Sequence, residues 1–462
     1  MNHYKKLLST TLIFAVSQFA SKLLNFFLLP LYTTYLSPGD YGTGDLINST
    51  VINLLVPVMT LMIASSVLRF TIDKNRDGTE TFKIGFFVTA TGCILMAGVL
   101  PVVALPYKTL FYFTYVVYSF DLFWDNFAKV IDRIKTIAVG GVLKTLLAVL
   151  FNLYFLVHLN TGVEGYLLSY ILALFISHLF IAFRLRFWKY MDRRPLDRGL
   201  FSDMLKYCIP LIPGNMSWWL NGTVNKYILA GVSGTAVLGV FSAASKIPGV
   251  VSAVQGFFSQ ALVLTVIGSY HEEKEGRDQF YTELFYIYNF IMTATVSALI
   301  LSTKGFARIL FADEFYAAWR CVPFLLLGSM FGALSGYLGT FYSASMETKG
   351  IFTSTLAGAV LSVVLNLLLV PFSGGEGASC ANAISTGVIF LIRLIETRKY
   401  VKLKLNLACV GFSYGILIIQ AVILMIMKRQ DLLYLCESVL FIFIIAVNRR
   451  GILSVLRKII NI

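Results

Sequence analysis

Residues Ser21–Arg69 read SKLLNFFLLPLYTTYLSPGDYGTGDLINSTVINLLVPVMTLMIASSVLR, two long apolar runs either side of the short polar turn Ser37-Pro38-Gly39-Asp40. Each run is long enough to cross a hydrocarbon core of ~30 Å, which takes about 20 helical residues. The first nevertheless carries Lys22 and Asn25, and the second carries Asp45, Asn48 and Asn53. A charge at membrane depth is costly and turns toward protein or a wet cavity, so the hairpin reads as part of a solute pathway. Beginning 197 positions later, Gly234 to Val240 falls on the turn and Leu238-Gly239 falls on Tyr41-Gly42, again between apolar runs. The hairpin reads as duplicated.

The same texture fills the chain. Hydrophobic residues make up 57% of the 462 residues, charged residues 13%, and mean hydropathy is +0.77, which describes an all-α polytopic membrane protein. Lys5 and Lys6 precede a first span too long for a signal core, without a small-residue cleavage site. The net charge of +14 resides in short basic clusters between apolar runs, where it sets topology, and nucleic-acid binding is not expected. Cys93, Cys208, Cys321, Cys380, Cys409 and Cys436 lack metal-ligand spacing and read as small packing residues. No metal or other cofactor is expected.

Apolar runs between polar breaks give about fourteen spans. Of the 38 Lys and Arg, 28 fall in one alternating set of ends and loops and six in the other, which places both termini in the cytoplasm. The remaining four, Lys22, Lys144, Lys226 and Lys246, lie inside spans. Asn152-Leu153 and Glu164-Gly165 recur as Asn366-Leu367 and Glu376-Gly377, at offsets of 214 and 212. Together these repeats divide the chain into a six-helix bundle at 1–190, a basic linker at 191–205, a second six-helix bundle at 206–400, and two further helices with a tail at 401–462. An even number of spans per half makes the repeat parallel, related by a pseudo-two-fold axis along the membrane normal. Pro57, Pro210, Pro213 and Pro248 are the expected bends.

Three stretches carry a family resemblance: LPLYTTYLSPGDYGTGDL at Leu29–Leu46, NKYILAGVSGTAVLGVFSAASKIPG at Asn225–Gly249, and GGEGASCANAIS at Gly374–Ser385. With the span layout they resemble the polysaccharide transporter branch of the multidrug/oligosaccharidyl-lipid/polysaccharide exporter superfamily. The resemblance implies two six-helix bundles in a V around a central cavity. It also implies a flippase that moves O-antigen or capsular repeat units on undecaprenyl diphosphate from the cytoplasmic to the periplasmic leaflet of a bacterial inner membrane. Membrane lipids, a polysaccharide polymerase and a chain-length regulator are the implied partners, and H+ or Na+ the implied coupling ion.

The residues support such a cargo in their own right, because a lipid diphosphate is an anion that ammonium groups attract. Lys22 and Lys246 lie nearest mid-span, Lys144 nearer the inner end of its span and Lys226 nearer the outer end, where its stem can snorkel. On a continuous span 7 at 207–230, Asn215, Trp218, Gly222 and Asn225 share one stripe that offers amides to sugar hydroxyls and an indole to a sugar face, or else packs the core. Asp45, Asp121 and Asp125 are the coupling-ion candidates, although Asp45 reads more readily as helix-end packing and Asp121, Asp125 and Lys129 have the i, i+4 spacing of a local salt bridge. Glu164 and Glu376 read as structural helix-start carboxylates, and His158 and His178, too far apart in sequence to suggest a site, as satisfied polar residues rather than ligands.

Two other functions compete. A cation-coupled multidrug exporter of the same superfamily would want an anionic aromatic cavity. A membrane polymerase or glycosyltransferase would want paired carboxylates on a long outer loop, where only Asp313-Glu314 stands, and no enzyme motif is present.

Overall fold

The computed structural model describes residues 26, 28–71, 78–102, 106–192, 195–269, 274–345 and 349–448, and every regular element among them is helical. Eight helices are long and apolar enough to cross a membrane, or ten when each of two bent pairs counts as one span, among the described residues. Large apolar side chains such as Ile94, Leu146, Leu368 and Ile442 stand more than half exposed on these helices, the surface a bilayer covers. By its internal contacts the chain groups into Met1–Tyr227 and Ile228–Ile462.

In the first unit the opening hairpin turns one residue earlier than its polar stretch predicts. Leu29–Tyr35 is helical, and a new helix, Pro38–Thr50, starts directly after Ser37. The Ser37 hydroxyl accepts the Asp40 N–H at 3.1 Å, Pro38 occupies the first turn where no N–H is needed, and Asp40 favours the positive helix end. Farther along, Pro57 cannot donate to the carbonyl four residues back, and the backbone widens into a π-turn at Val51–Leu55 just before it. Helicity then breaks at Leu61 and Met62, whose φ of 52° and 54° are left-handed, and Pro38–Met59 meets Ile63–Thr71 at 62°.

An aromatic core holds the inner part of this unit. Phe82, Phe123 and Phe127 are fully buried with Trp124 beside Ile63, Val67, Leu200 and Met204. The Ser66 hydroxyl donates to the Met204 carbonyl at 2.7 Å, which fastens Arg198–Cys208 to Ile63–Thr71. Buried Lys83 pairs with Asp192 at the edge of the same core.

Span 7, expected as one helix over 207–230, is interrupted twice. It follows Arg198–Cys208 as a 3-10 turn at Ile209–Leu211, then Ile212–Gly222 and Val224–Ser233. Pro210 and Pro213 remove two consecutive-turn donors, and Gly222-Thr223 supplies the second interruption.

In the second unit, Thr235–Ala244 and Gly249–Ser259 bend by 45° across the turn that holds Lys246 and Pro248. Lys274–Leu310 follows, then Val322–Ala344, then the 48 helical residues Lys349–Glu396. At 1.5 Å per residue the last would be ~72 Å long, more than twice a bilayer core. It is two antiparallel arms, folded at Gly374, whose φ of 50° and ψ of −124° suit only glycine. Arg393 on the returning arm donates to Ser354 Oγ at 3.0 Å and Thr355 Oγ1 at 2.9 Å on the outgoing arm, and to the Ser335 carbonyl at 2.9 Å. Leu407–Ile426 and Gln430–Val447 complete the unit.

Candidate functional site

Polar residues inside the first unit gather where the π-turn at Val51–Leu55 faces the interrupted span 7. A cavity of about 300 Å³ lies there, lined by Ile52, Asn53, Pro57, Asn215, Trp219, Gly222, Thr223 and Lys226. The two helix breaks make room for it: a π-turn pushes side chains out of α-helical register, and Gly222 leaves open space where a Cβ would stand.

Its charged end is an ion pair across 181 residues of sequence. Lys226 Nζ donates to Asp45 Oδ2 at 2.5 Å and to Ser49 Oγ at 2.7 Å. Both side chains are largely withdrawn from solvent, at 15% and 6% exposure. Close by, Asn53 Nδ2 donates to Thr223 Oγ1 at 3.4 Å, and Thr50 and Tyr227 share a hydroxyl hydrogen bond of 2.5 Å. Asn215 Nδ2 meets the soft Met62 sulfur at 2.8 Å. The Trp219 indole N–H is buried and has no acceptor among the described residues. The cavity therefore combines amide and hydroxyl groups, a flat apolar ring with an unused donor, and an ammonium held by a carboxylate.

A second polar node lies on other helices of the same unit. Lys144 Nζ donates to Asp121 Oδ1 and Oδ2 at 3.2 and 3.0 Å, and His178 Nε2 lies 3.1 Å from Asp121 Oδ1. Asp121 takes these hydrogen bonds from other helices, and His178 is a polar residue satisfied there. The reason is helix packing: Ile134–Asn152 and Gly162–Leu185 both lie against Lys108–Val130, so residues 23 and 57 positions away arrive at one carboxylate.

The other predicted residues are placed as follows. Lys246 sits in the second unit at the bend before Gly249. Asn225 is buried at 5% exposure, one position from the cavity-lining Lys226. Asp125 shares its helix with Asp121, one turn on. Lys22 and Asn25 lie outside the described residues, and so does the Trp218 side chain. Of the expected stripe Asn215 and Gly222 line the cavity, and Trp219 and Lys226 line it with them. Trp219 was visible in the sequence as the second half of a Trp pair.

Comparison with known proteins places the chain in context. A family profile described as polysaccharide biosynthesis protein matches residues 7–267. An uncharacterised membrane protein of Methanocaldococcus jannaschii is 26% identical over 262 residues, 52% of this chain and 59% of that protein. The match therefore spans less than two thirds of the length of this curated relative. Among solved structures, an inward-facing multidrug resistance MATE family transporter of the MOP superfamily superposes with a TM-score of 0.68 at 14% identity, covering 86% of this chain and 96% of the other. The lipid II flippase MurJ, in an inward closed conformation, gives a TM-score of 0.66 at 14% identity over 97% and 100%. At that identity the likeness is one of fold, and the all-α multi-span architecture is the shared property.

Proposed function

We propose that this chain, which belongs to the polysaccharide biosynthesis protein family, is a flippase for oligosaccharides linked to undecaprenyl diphosphate. O-antigen or capsular repeat units are the cargo class, moved by alternating access from the cytoplasmic to the periplasmic leaflet of the inner membrane, with both termini cytoplasmic. A polysaccharide polymerase and a chain-length regulator then use the product. The observation that carries this reading is the cavity that joins Asn53, Asn215, Thr223 and Trp219 to Lys226. Amides and hydroxyls match sugar hydroxyls, the indole matches a sugar ring face, and the ammonium matches a phosphate.

In the resting geometry Asp45 neutralises Lys226, so the pair presents little net field to an anion. Neutralising Asp45 with H+, or drawing it off with Na+, releases the ammonium toward the diphosphate; this is how an ion gradient couples to cargo here. Lys22, Lys144 and Lys246 are the further cationic contacts in this scheme, and Asp121 and Asp125 the further ion-binding candidates.

The test is a liposome assay with a fluorescent undecaprenyl-diphosphate oligosaccharide, scored by how fast the inner-leaflet pool becomes accessible to an impermeant quencher. The wild-type protein accelerates exchange over protein-free liposomes. Asn215→Ala and Trp219→Ala each slow it roughly tenfold, as expected for about 1.5 kcal/mol of lost cargo contact. Exchange no faster than in empty liposomes would overturn the proposal.

The buried Asp45 carboxylate also suits a cation-coupled multidrug exporter of the same superfamily. That reading gains if the liposomes move lipophilic cations and leave the lipid-linked sugar in place.

A further inference from the structure

Between the helices ending at Glu396 and starting at Leu407, Val401-Lys402-Leu403-Lys404-Leu405-Asn406 alternates apolar and polar residues, the pattern of an extended chain with one dry and one wet side. The segment is a strap laid along Lys274–Leu310. The backbone N–H groups of Lys402, Lys404 and Asn406 donate to Asp278 Oδ2 at 3.1 Å, Thr282 Oγ1 at 3.1 Å and Tyr286 Oη at 2.7 Å. Four helical residues rise ~6 Å and two extended residues ~6.6 Å, so each second strap N–H meets the next turn of the helix. Arg277 adds a bond to the Tyr400 carbonyl at 3.4 Å and pairs with Asp278 at 3.1 Å. The strap is therefore a fixed part of the fold, not a loose connection.

Behind it opens a cavity of about 290 Å³, whose lining includes Leu394, Val401, Leu403 and Leu407 together with Arg398 and Lys402. Val401 is 1% exposed, whereas Arg398, Lys399, Lys402 and Lys404 are all exposed. Among the described residues no ion pair engages any of those four cations. Next to them, Leu391, Ile395 and Leu407 present bare apolar side chains at 53%, 64% and 50% exposure. Exposed cations next to an apolar helix surface are the arrangement found where a helix leaves the bilayer, and an apolar-lined hollow at that level suits a lipid better than a hydrated free anion.

We infer that this cavity binds the phosphate headgroup of an anionic bilayer phospholipid. Arg398 and Lys402 hold the phosphate, the acyl chains run along Leu391, Ile395 and Leu407, and the start of the Leu407–Ile426 helix adds its positive end. The inference does not depend on what the first-unit cavity carries.

The experiment uses the full chain in a neutral detergent, titrated with phosphatidylglycerol, phosphatidylcholine or inorganic phosphate, with bound lipid counted by native mass spectrometry. One phosphatidylglycerol binds in preference to phosphatidylcholine. Arg398→Gln with Lys402→Gln weakens it roughly 30-fold, from about 1 kcal/mol per cation at a membrane surface. Arg398→Lys with Lys402→Arg keeps most of the affinity, and Lys428→Gln with Arg429→Gln, at the far end of the Leu407–Ile426 helix, leaves it unchanged. Three results would overturn the inference: undiminished binding by the Arg398→Gln, Lys402→Gln protein, equal loss in the Lys428, Arg429 control, or competition by millimolar inorganic phosphate to the same extent as by lipid. Because the readout is lipid occupancy, it stands or falls separately from the flippase assay.

Discussion

Removing Lys226 by itself leaves Asp45 as a buried carboxylate without its cation. Lys226→Ala therefore costs about 3–5 kcal/mol, while Lys226→Gln combined with Asp45→Asn recovers most of that loss because no lone charge remains. Thermal unfolding in detergent measures both, and equal losses in the two proteins would contradict the pairing. Glu437 is the converse case. It is fully buried, and neither carboxyl oxygen has a hydrogen-bond partner among the described residues. Glu437→Gln keeps the shape and removes the possibility of charge, so stability stays within about 1 kcal/mol of wild type or rises. The lysines were legible in the sequence because a charge interrupts an apolar run wherever it falls. Their partners were not: the Lys226 and His178 pairings span 181 and 57 positions, and only helix packing chooses among the available carboxylates.

At the scale of single elements, glycine marks both sharp turning and close approach. A side chain at Gly374 would be forced into a positive-φ backbone that suits only glycine, and Gly374→Ala costs about 1–3 kcal/mol. Gly358 faces the other arm of the same hairpin, where a Cβ would lie 2.2 Å from Ile389 Cγ1. Gly358→Val consequently costs about 1–3 kcal/mol, and Gly358→Val with Ile389→Ala recovers part of it. The prolines announced where the membrane helices bend, since a missing N–H is a property of the residue itself. Two breaks hold a proline, Pro210 in the turn at Ile209–Leu211 and Pro248 between Ala244 and Gly249, whereas Pro57 lies before its break at Leu61 and Met62; around Pro210 and Pro213 the apolar periodicity continues unbroken. Periodicity records which side of a helix is apolar and is blind to a turn that rotates the next segment.

For the whole molecule, the segregation of basic residues predicts sidedness, which substituted-cysteine labelling in intact cells tests directly. Asp40→Cys reacts with an impermeant maleimide from outside, whereas Arg198→Cys reacts only after permeabilisation; the opposite pattern would invert the topology. Composition alone exposed the all-α membrane class, because few soluble chains sustain so much apolar residue with so little charge. The contact boundary after Tyr227 was hidden, since Asp45, Thr50, Asn53 and Met62 draw Ile212–Tyr227 into the first unit through individual side-chain bonds. Those bonds also impose a schedule on biogenesis. When the ribosome has finished Asp45 it is still 181 residues short of Lys226, an interval of roughly 10–40 s at ~5–20 residues per second. An uncompensated carboxylate is poorly tolerated in lipid for so long, so the nascent Pro38–Met59 segment waits in the translocon's aqueous shelter until Ile212–Tyr227 arrives and completes its integration.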